Sequence, residues 1–241
     1  MSGQLIGVGV GPGDPDLLTV RAIRALERAD VVAYFAKAGN QSNARNTAQH
    51  HFRPGAIDLP LLYPVTTEHP TATVEYRVPI QKFFDDAAAQ VAAHLDAGRV
   101  VAVLSEGDPL FFGSYMHIHV RLLKRYPVEV IPGITAMSAC WSAAGIPIVQ
   151  GENVLSVLPG TLDESELTRR LERGEPTVVM KVGRNLGKIR RAVLQADRLS
   201  SAVYVERVSM QQERVMPLAE KTDDQAPYFS MVLVSNPWGP S

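Results

Sequence analysis

The sequence predicts an α/β fold of two domains, and three observations carry that expectation. Short β-branched apolar runs alternate with longer segments of helical period along most of the 241 residues. The tripeptide Gly-Asp-Pro occurs twice, at Gly13-Asp14-Pro15 and Gly107-Asp108-Pro109, each time just after such a run. A third turn, Pro132-Gly133-Ile134-Thr135-Ala136, follows residues 128–131 in the same manner. Strand ends that break into such turns are where open α/β sheets place ligand sites.

Residues 5–10 read as a buried strand. Thr19 is placed as N-cap of a helix over 20–29, with Leu18 and Ile23 set to staple across it. A strand over 31–35 follows. The stretch 36–79 holds Pro54, Pro60, Pro64, Pro70 and Pro79 and little period. Apart from a short helix at 44–51 it is expected to be loop, one that covers a pocket. A helix over 80–97 ends at Gly98, and strand 100–104, helix 114–125 and strand 128–131 complete the first half.

The alternation then continues. Residues 135–144 read as a helix of small residues, 154–158 as a strand, and 164–173 as a charged helix closed by Gly174. Strand 177–182 leads to a helix over 186–194 whose Leu186, Ile189 and Val193 face inward. Strands 202–205 and 229–234 follow, separated by an exposed acidic turn at 222–227. Strand order is not encoded in this pattern. The boundary falls within 132–151, and the domains are taken as 1–133 and 134–241.

Composition narrows the function classes. Hydrophobic residues at 46% and charged residues at 20% describe an ordinary globular protein, and a formal net charge of −1 gives no field for nucleic acid. One cysteine, Cys140, excludes an internal disulfide framework and fits a reducing cytoplasm. It reads as a packed core thiol. The most apolar stretch, 134–149, is shorter than a bilayer span and is interrupted by Ser138, Ser142 and Pro147, so no membrane partner is expected. No signal peptide is visible at the start.

The segment Gly7-Val8-Gly9-Val10-Gly11-Pro12-Gly13 invites comparison with a dinucleotide fingerprint and fails it. From Gly7 the third glycine should stand where Pro12 is, and from Gly9 where Asp14 is. Pro12 and Pro15 remove N–H donors, and Asp14 and Asp16 repel a phosphate. Acidic, proline-stiffened loops suit a neutral or cationic nucleoside instead. Glu106 and Asp108 can accept hydrogen bonds from an amine or a ribose hydroxyl, and Gly107 would let backbone approach the ligand closely. S-adenosylmethionine carries such groups.

The run Gly9 to Thr19, with Ala22, Leu26 and Ala29-Asp30-Val31-Val32, resembles the opening of the tetrapyrrole methylases. Ser105-Glu106-Gly107-Asp108-Pro109 and Pro132-Gly133-Ile134-Thr135-Ala136 resemble that family's second and third motifs, and Met180-Lys181-Val182-Gly183 and Val205-Glu206-Arg207 its later ones. Three stretches, 107–116, 158–162 and 180–186, resemble the branch that methylates a meso carbon of a vitamin B12 precursor. The resemblance implies a homodimer of two α/β domains with S-adenosylmethionine folded into the cleft between them, and S-adenosylhomocysteine as product. Carried over by position, it assigns cofactor contacts to Pro12, Glu106, Gly107, Asp108, Thr135, Ala136, Met180, Ser209 and Phe229. Glu106 stands where many relatives have glycine.

The implied substrate is a polycarboxylate tetrapyrrole, which needs polar and basic partners. Arg45 and Arg53 lie in the proline-rich stretch, Tyr115 and His117 follow the second motif, and Arg184 follows Met180. Each competes with a reading as an ordinary solvated surface group. No catalytic base is assigned. No metal is expected: His117 and His119 are two apart on a helix and do not face one another, and HExxH-type spacing is absent. A cobalt-containing form of the substrate and a diphthine-methylating member of the fold remain as alternatives. A nucleotide-dependent oxidoreductase with a degenerate Rossmann loop is the rival from another class.

Overall fold

The computed structural model describes residues 2–64 and 74–236. The chain divides into two compact units, Met1–Thr135 and Ala136–Ser241.

In the first unit five strands, Gln4–Gly9 (β1), Val31–Lys37 (β2), Ile57–Tyr63 (β3), Val100–Ser105 (β4) and Val128–Ile131 (β5), pair in the order β3-β2-β4-β1-β5. Every pairing is parallel. Parallel strands need crossovers, and the helices Val20–Arg28 (α1), Asn43–Ala48 (α2), Val74–Asp96 (α3) and Tyr115–Leu122 (α4) cover both faces. Alternation along the strands sorts the side chains. Leu5, Val31, Ala33, Val101 and Val103 pack beneath α3 and α4, whereas Ile6, Val8, Val32, Ala102 and Leu104 pack beneath α1 and α2. The chain leaves β1 toward one edge and β4 toward the other. The carboxyl ends of these adjacent strands are therefore the switch point where ligands bind in open α/β sheets.

The Thr19 hydroxyl accepts the Ala22 N–H at 3.1 Å, and Leu18 and Ile23 join the same apolar cluster. Thr19→Ala is expected to cost about 1 kcal/mol, a fall in melting temperature of about 2–4 °C by calorimetry.

Two expectations need correction. The stretch 36–79 is not mainly loop: beside α2 and a 3-10 turn over Gln49–His51 it supplies β3, paired with β2 from Val31↔Ile57 to Lys37↔Tyr63. β3 is an edge strand, and Pro60 is tolerated there because its missing N–H breaks no central ladder. Helix α3 starts at Val74, six residues before the expected 80, with Pro79 inside its early turns at the loss of one backbone bond. Pro70 and the loop expected over 65–73 lie outside the described residues.

The second unit is built on Ser156–Pro159 (β6), Thr177–Met180 (β7), Ala202–Glu206 (β8), Arg214–Pro217 (β9) and Ser230–Val234 (β10), ordered β6-β7-β10-β8-β9. Only β6 and β7 pair in parallel. β9 goes unread in the sequence, because it is short and largely exposed and shows no apolar run. Glu164–Leu171 (α6) and Leu186–Gln195 (α7) cover one face, with Leu186, Ile189 and Val193 fully buried as expected. Ala136–Ala143 (α5) covers the other. Cys140 is buried in that layer, and desolvation first, then the charge of Glu213, pushes its thiol up to about 12. No helix among the described residues is long and apolar enough to cross a membrane.

Candidate functional site

The three glycine loops meet at the carboxyl end of the first sheet. Gly107 N–H donates to the Gly11 carbonyl at 2.8 Å, and Gly11 N–H returns a longer bond to the Gly107 carbonyl at 3.4 Å, so the loops after β1 and β4 pair as a short bridge. The loop after β5 lies on both. A Cβ on Gly133 would stand 2.1 Å from the Gly107 carbonyl oxygen, and one on Gly9 2.5 Å from the Gly133 nitrogen. These glycines are required because backbone packs on backbone with no room for a side chain.

Asp108 locks the arrangement. One carboxylate oxygen accepts the Leu110 N–H at 2.9 Å and the other the Gly133 N–H at 3.1 Å. It ties two loops together, a structural duty added to the ligand contact expected of it. Gly107 likewise spends its N–H on Gly11, and its φ of +64° is a second reason for glycine at that position. Close approach to a ligand is therefore not the only reading of Gly107. Gly7 serves packing too, since a Cβ there would meet the Tyr115 ring at 2.3 Å.

The first loop shows why a pyrophosphate does not fit. Asp14 caps the 3-10 turn Pro15–Leu17 by accepting the Asp16 N–H at 2.9 Å, so a carboxylate already occupies the place an anion would take. Pro12 is buried beside it. Glu106 follows β4 as an exposed residue whose carboxyl is nevertheless partly desolvated by the atoms around it. Desolvation holds its carboxyl above the ordinary 4.5, and a hydrogen bond from Asn43 on α2 works against that rise. Thr135 is half-buried at the end of this unit, and Ala136 opens α5.

In the second unit Met180, Ser209 and Phe229 gather at one end of the sheet. Met180 ends β7, and its carbonyl accepts the Gly160 N–H at 2.6 Å. Phe229 precedes β10 and its carbonyl accepts the Arg207 N–H at 2.8 Å. Ser209 lies two residues beyond Arg207 at a φ of +64°, with its N–H on the Glu213 carboxylate at 2.7 Å.

The residues expected to meet the substrate do not stay together. Tyr115 is fully buried and hydrogen-bonds His119 at 3.2 Å, so it is a core residue rather than a ligand contact. Arg53 pairs with Asp30 at 2.8 Å, and Asp30 precedes β2, at the opposite end of the sheet from the loops. His117 lies flat on Phe84 at 3.9 Å between centroids, and desolvation, then Arg121, lowers its pKa. A neutral imidazole held there is a poor carboxylate partner. Arg45 keeps a suitable place: it lines a recess of about 430 Å³ with Tyr34, Gln49 and Asp58, its guanidinium on the Asp58 carboxylate at 2.7 Å. Arg184 is exposed just after β7.

This parallel sheet, its interlocked strand-end loops and the mixed second sheet define a class, and the chain belongs to the tetrapyrrole (corrin/porphyrin) methylases, whose family model matches residues 4–222. It is 62% identical over 232 residues to the precorrin-2 C(20)-methyltransferase of Sinorhizobium sp, spanning 96% of this chain and 95% of that one. It is 27% identical to the cobalt-precorrin-2 C(20)-methyltransferase of Salmonella typhimurium, over 99% and 98% of the two chains. The solved uroporphyrin-III C-methyltransferase of Thermus thermophilus, complexed with S-adenosylhomocysteine, superposes with a TM-score of 0.65 at 26% identity, over 96% and 97% of the chains.

Proposed function

We propose that the protein transfers a methyl group from S-adenosylmethionine to the C-20 meso carbon of precorrin-2, giving precorrin-3A in cobalamin biosynthesis. The observation that carries this is 62% identity to a precorrin-2 C(20)-methyltransferase across nearly the whole of both chains, against 27% for the cobalt-substrate relative. The loops fit a cationic donor. They offer the Glu106 carboxylate, and the place a phosphate would take is filled by Asp14.

When bound, S-adenosylmethionine supplies a sulfonium-activated methyl, and its departure in transfer leaves a neutral thioether. The chain's own work is placement, which in favourable intramolecular models supplies about 7–11 kcal/mol. Glu106 faces the donor's cationic groups, and Asp108 holds the loops that carry Gly107 and Gly133 in one geometry. Pro12, Thr135, Ala136, Met180, Ser209 and Phe229 complete the cofactor contacts. Arg45 and Arg184 receive substrate carboxylates. The protein works as a homodimer in the cytoplasm, a reading supported by the family resemblance and by the single buried thiol.

Calorimetry with S-adenosylhomocysteine is expected to give micromolar binding at about one site per chain, a binding free energy of about −8 kcal/mol. Turnover should follow with metal-free precorrin-2 and be slower with the cobalt form. A folded protein that fails to bind would defeat the reading; faster turnover of the cobalt form would reassign the substrate.

A further inference from the structure

The loop after Asp108 carries a feature that cofactor binding does not explain. Phe112 has a φ of +54°, a conformation that a bulky side chain rarely takes, and the residue is 46% exposed. Leu110, two residues earlier, is 49% exposed. Both costs fall in one short turn, and the turn is built to hold them. At its start Asp108 accepts the Leu110 N–H, and the Phe111 N–H bonds the Asp108 carbonyl at 3.3 Å. At its end a Cβ on Gly113 would stand 2.5 Å from Ser105 Oγ and 2.9 Å from the Pro109 carbonyl, so the backbone is clamped immediately after Phe112. The Phe111 ring meets the Phe112 ring edge-on at 5.0 Å between centroids. A non-glycine residue kept at positive φ with a side chain so largely exposed is the kind of backbone strain that marks a functional position.

We infer that Leu110 and Phe112 form an apolar lip on which the face of the tetrapyrrole ring rests, making Phe112 a specificity-determining residue for the macrocycle. This rests on the methyltransferase reading above. A carboxyl-rimmed macrocycle presents charge around its edge and an apolar π surface across its face. Arginines suit the edge, and an aromatic ring suits the face through stacking and desolvation. Phe112 shares its turn with Asp108, so the lip is positioned by the same residue that orders the glycine loops.

The test uses the full-length protein and sirohydrochlorin, the oxidised and spectroscopically visible form of a precorrin-2-type ring, with S-adenosylhomocysteine measured in parallel. Phe112→Ala is expected to weaken sirohydrochlorin binding about tenfold and to change S-adenosylhomocysteine binding less than twofold. Phe112→Gly, which relieves the backbone, is expected to melt no lower than the parent while showing the same loss of ring affinity. Equal ring affinity in parent and variants would overturn the lip and leave the methyltransferase reading standing. A parent that binds S-adenosylhomocysteine but no tetrapyrrole would overturn both. Unchanged ring affinity with loss of the dimer in sedimentation would assign the patch to contact between two copies and overturn the inference.

Discussion

Gly133→Ala is expected to lower the melting temperature by about 6–12 °C and to remove most cofactor affinity. The added methyl would lie 2.1 Å from the Gly107 carbonyl oxygen and 2.9 Å from both the Cα and the carbonyl carbon of Gly9. All three obstacles are backbone, so no rotamer change relieves the clash. The loops must separate, and separation breaks the bond from Gly133 N–H to Asp108 and strains the Gly11–Gly107 bridge. Overpacking of this kind costs about 3 kcal/mol, and in a chain of this size each kcal/mol is worth about 2–4 °C. Gly39→Ala is the control. Its φ is +81° with nothing within 4 Å of the new methyl, so it should show only the cost of a left-handed alanine, about 1–2 kcal/mol. Gly133 is not at positive φ, so its variant carries the clash without that strain, and similar melting temperatures for the two would mean that the loop interlock resists a methyl no more than a left-handed turn does.

Gly133 also shows where sequence reading ran out. That three turns follow three strands is legible from spacing, because apolar runs and Gly-Pro punctuation are local signals. What each glycine faces is not local. Gly7, Gly9 and Gly133 oppose Tyr115 and other loop backbone contributed by residues far along the chain. The same limit explains the substrate arginines and aromatics. Arg53 stands in the proline-rich stretch expected to cover a pocket and Tyr115 just after the second motif, yet Arg53 pairs with Asp30 at the far end of the sheet and Tyr115 fills the space above Gly7. β3 was hidden because Pro60 reads as a breaker, and only its place at the sheet edge makes that proline harmless. Helices with caps and clear period, such as α1 behind Thr19, were found almost to the residue.

Glu106→Gln separates function from stability in the opposite direction to Gly133→Ala. It keeps the shape and removes only the charge. If the carboxylate faces the cationic donor, losing a charge-assisted hydrogen bond worth about 1.5–3 kcal/mol should weaken S-adenosylmethionine binding about 10- to 100-fold. Stability should not fall with it. Partial desolvation raises the Glu106 carboxyl above 4.5 although the residue is exposed, so the folded state holds that proton more tightly than the unfolded chain does. Its contribution to stability is full below the unfolded value and is lost as pH rises through the folded one. The parent therefore carries a desolvated charge at neutral pH that the glutamine variant lacks, and the variant should melt at the same temperature or higher at pH 7. In acid, below 4.5, the difference should vanish. Donor affinity of the parent should rise with pH across the same interval while that of the variant stays flat. A variant that melts lower at pH 7 and binds the donor normally would make Glu106 a structural residue held by Asn43, and the cation-facing role would pass to another group.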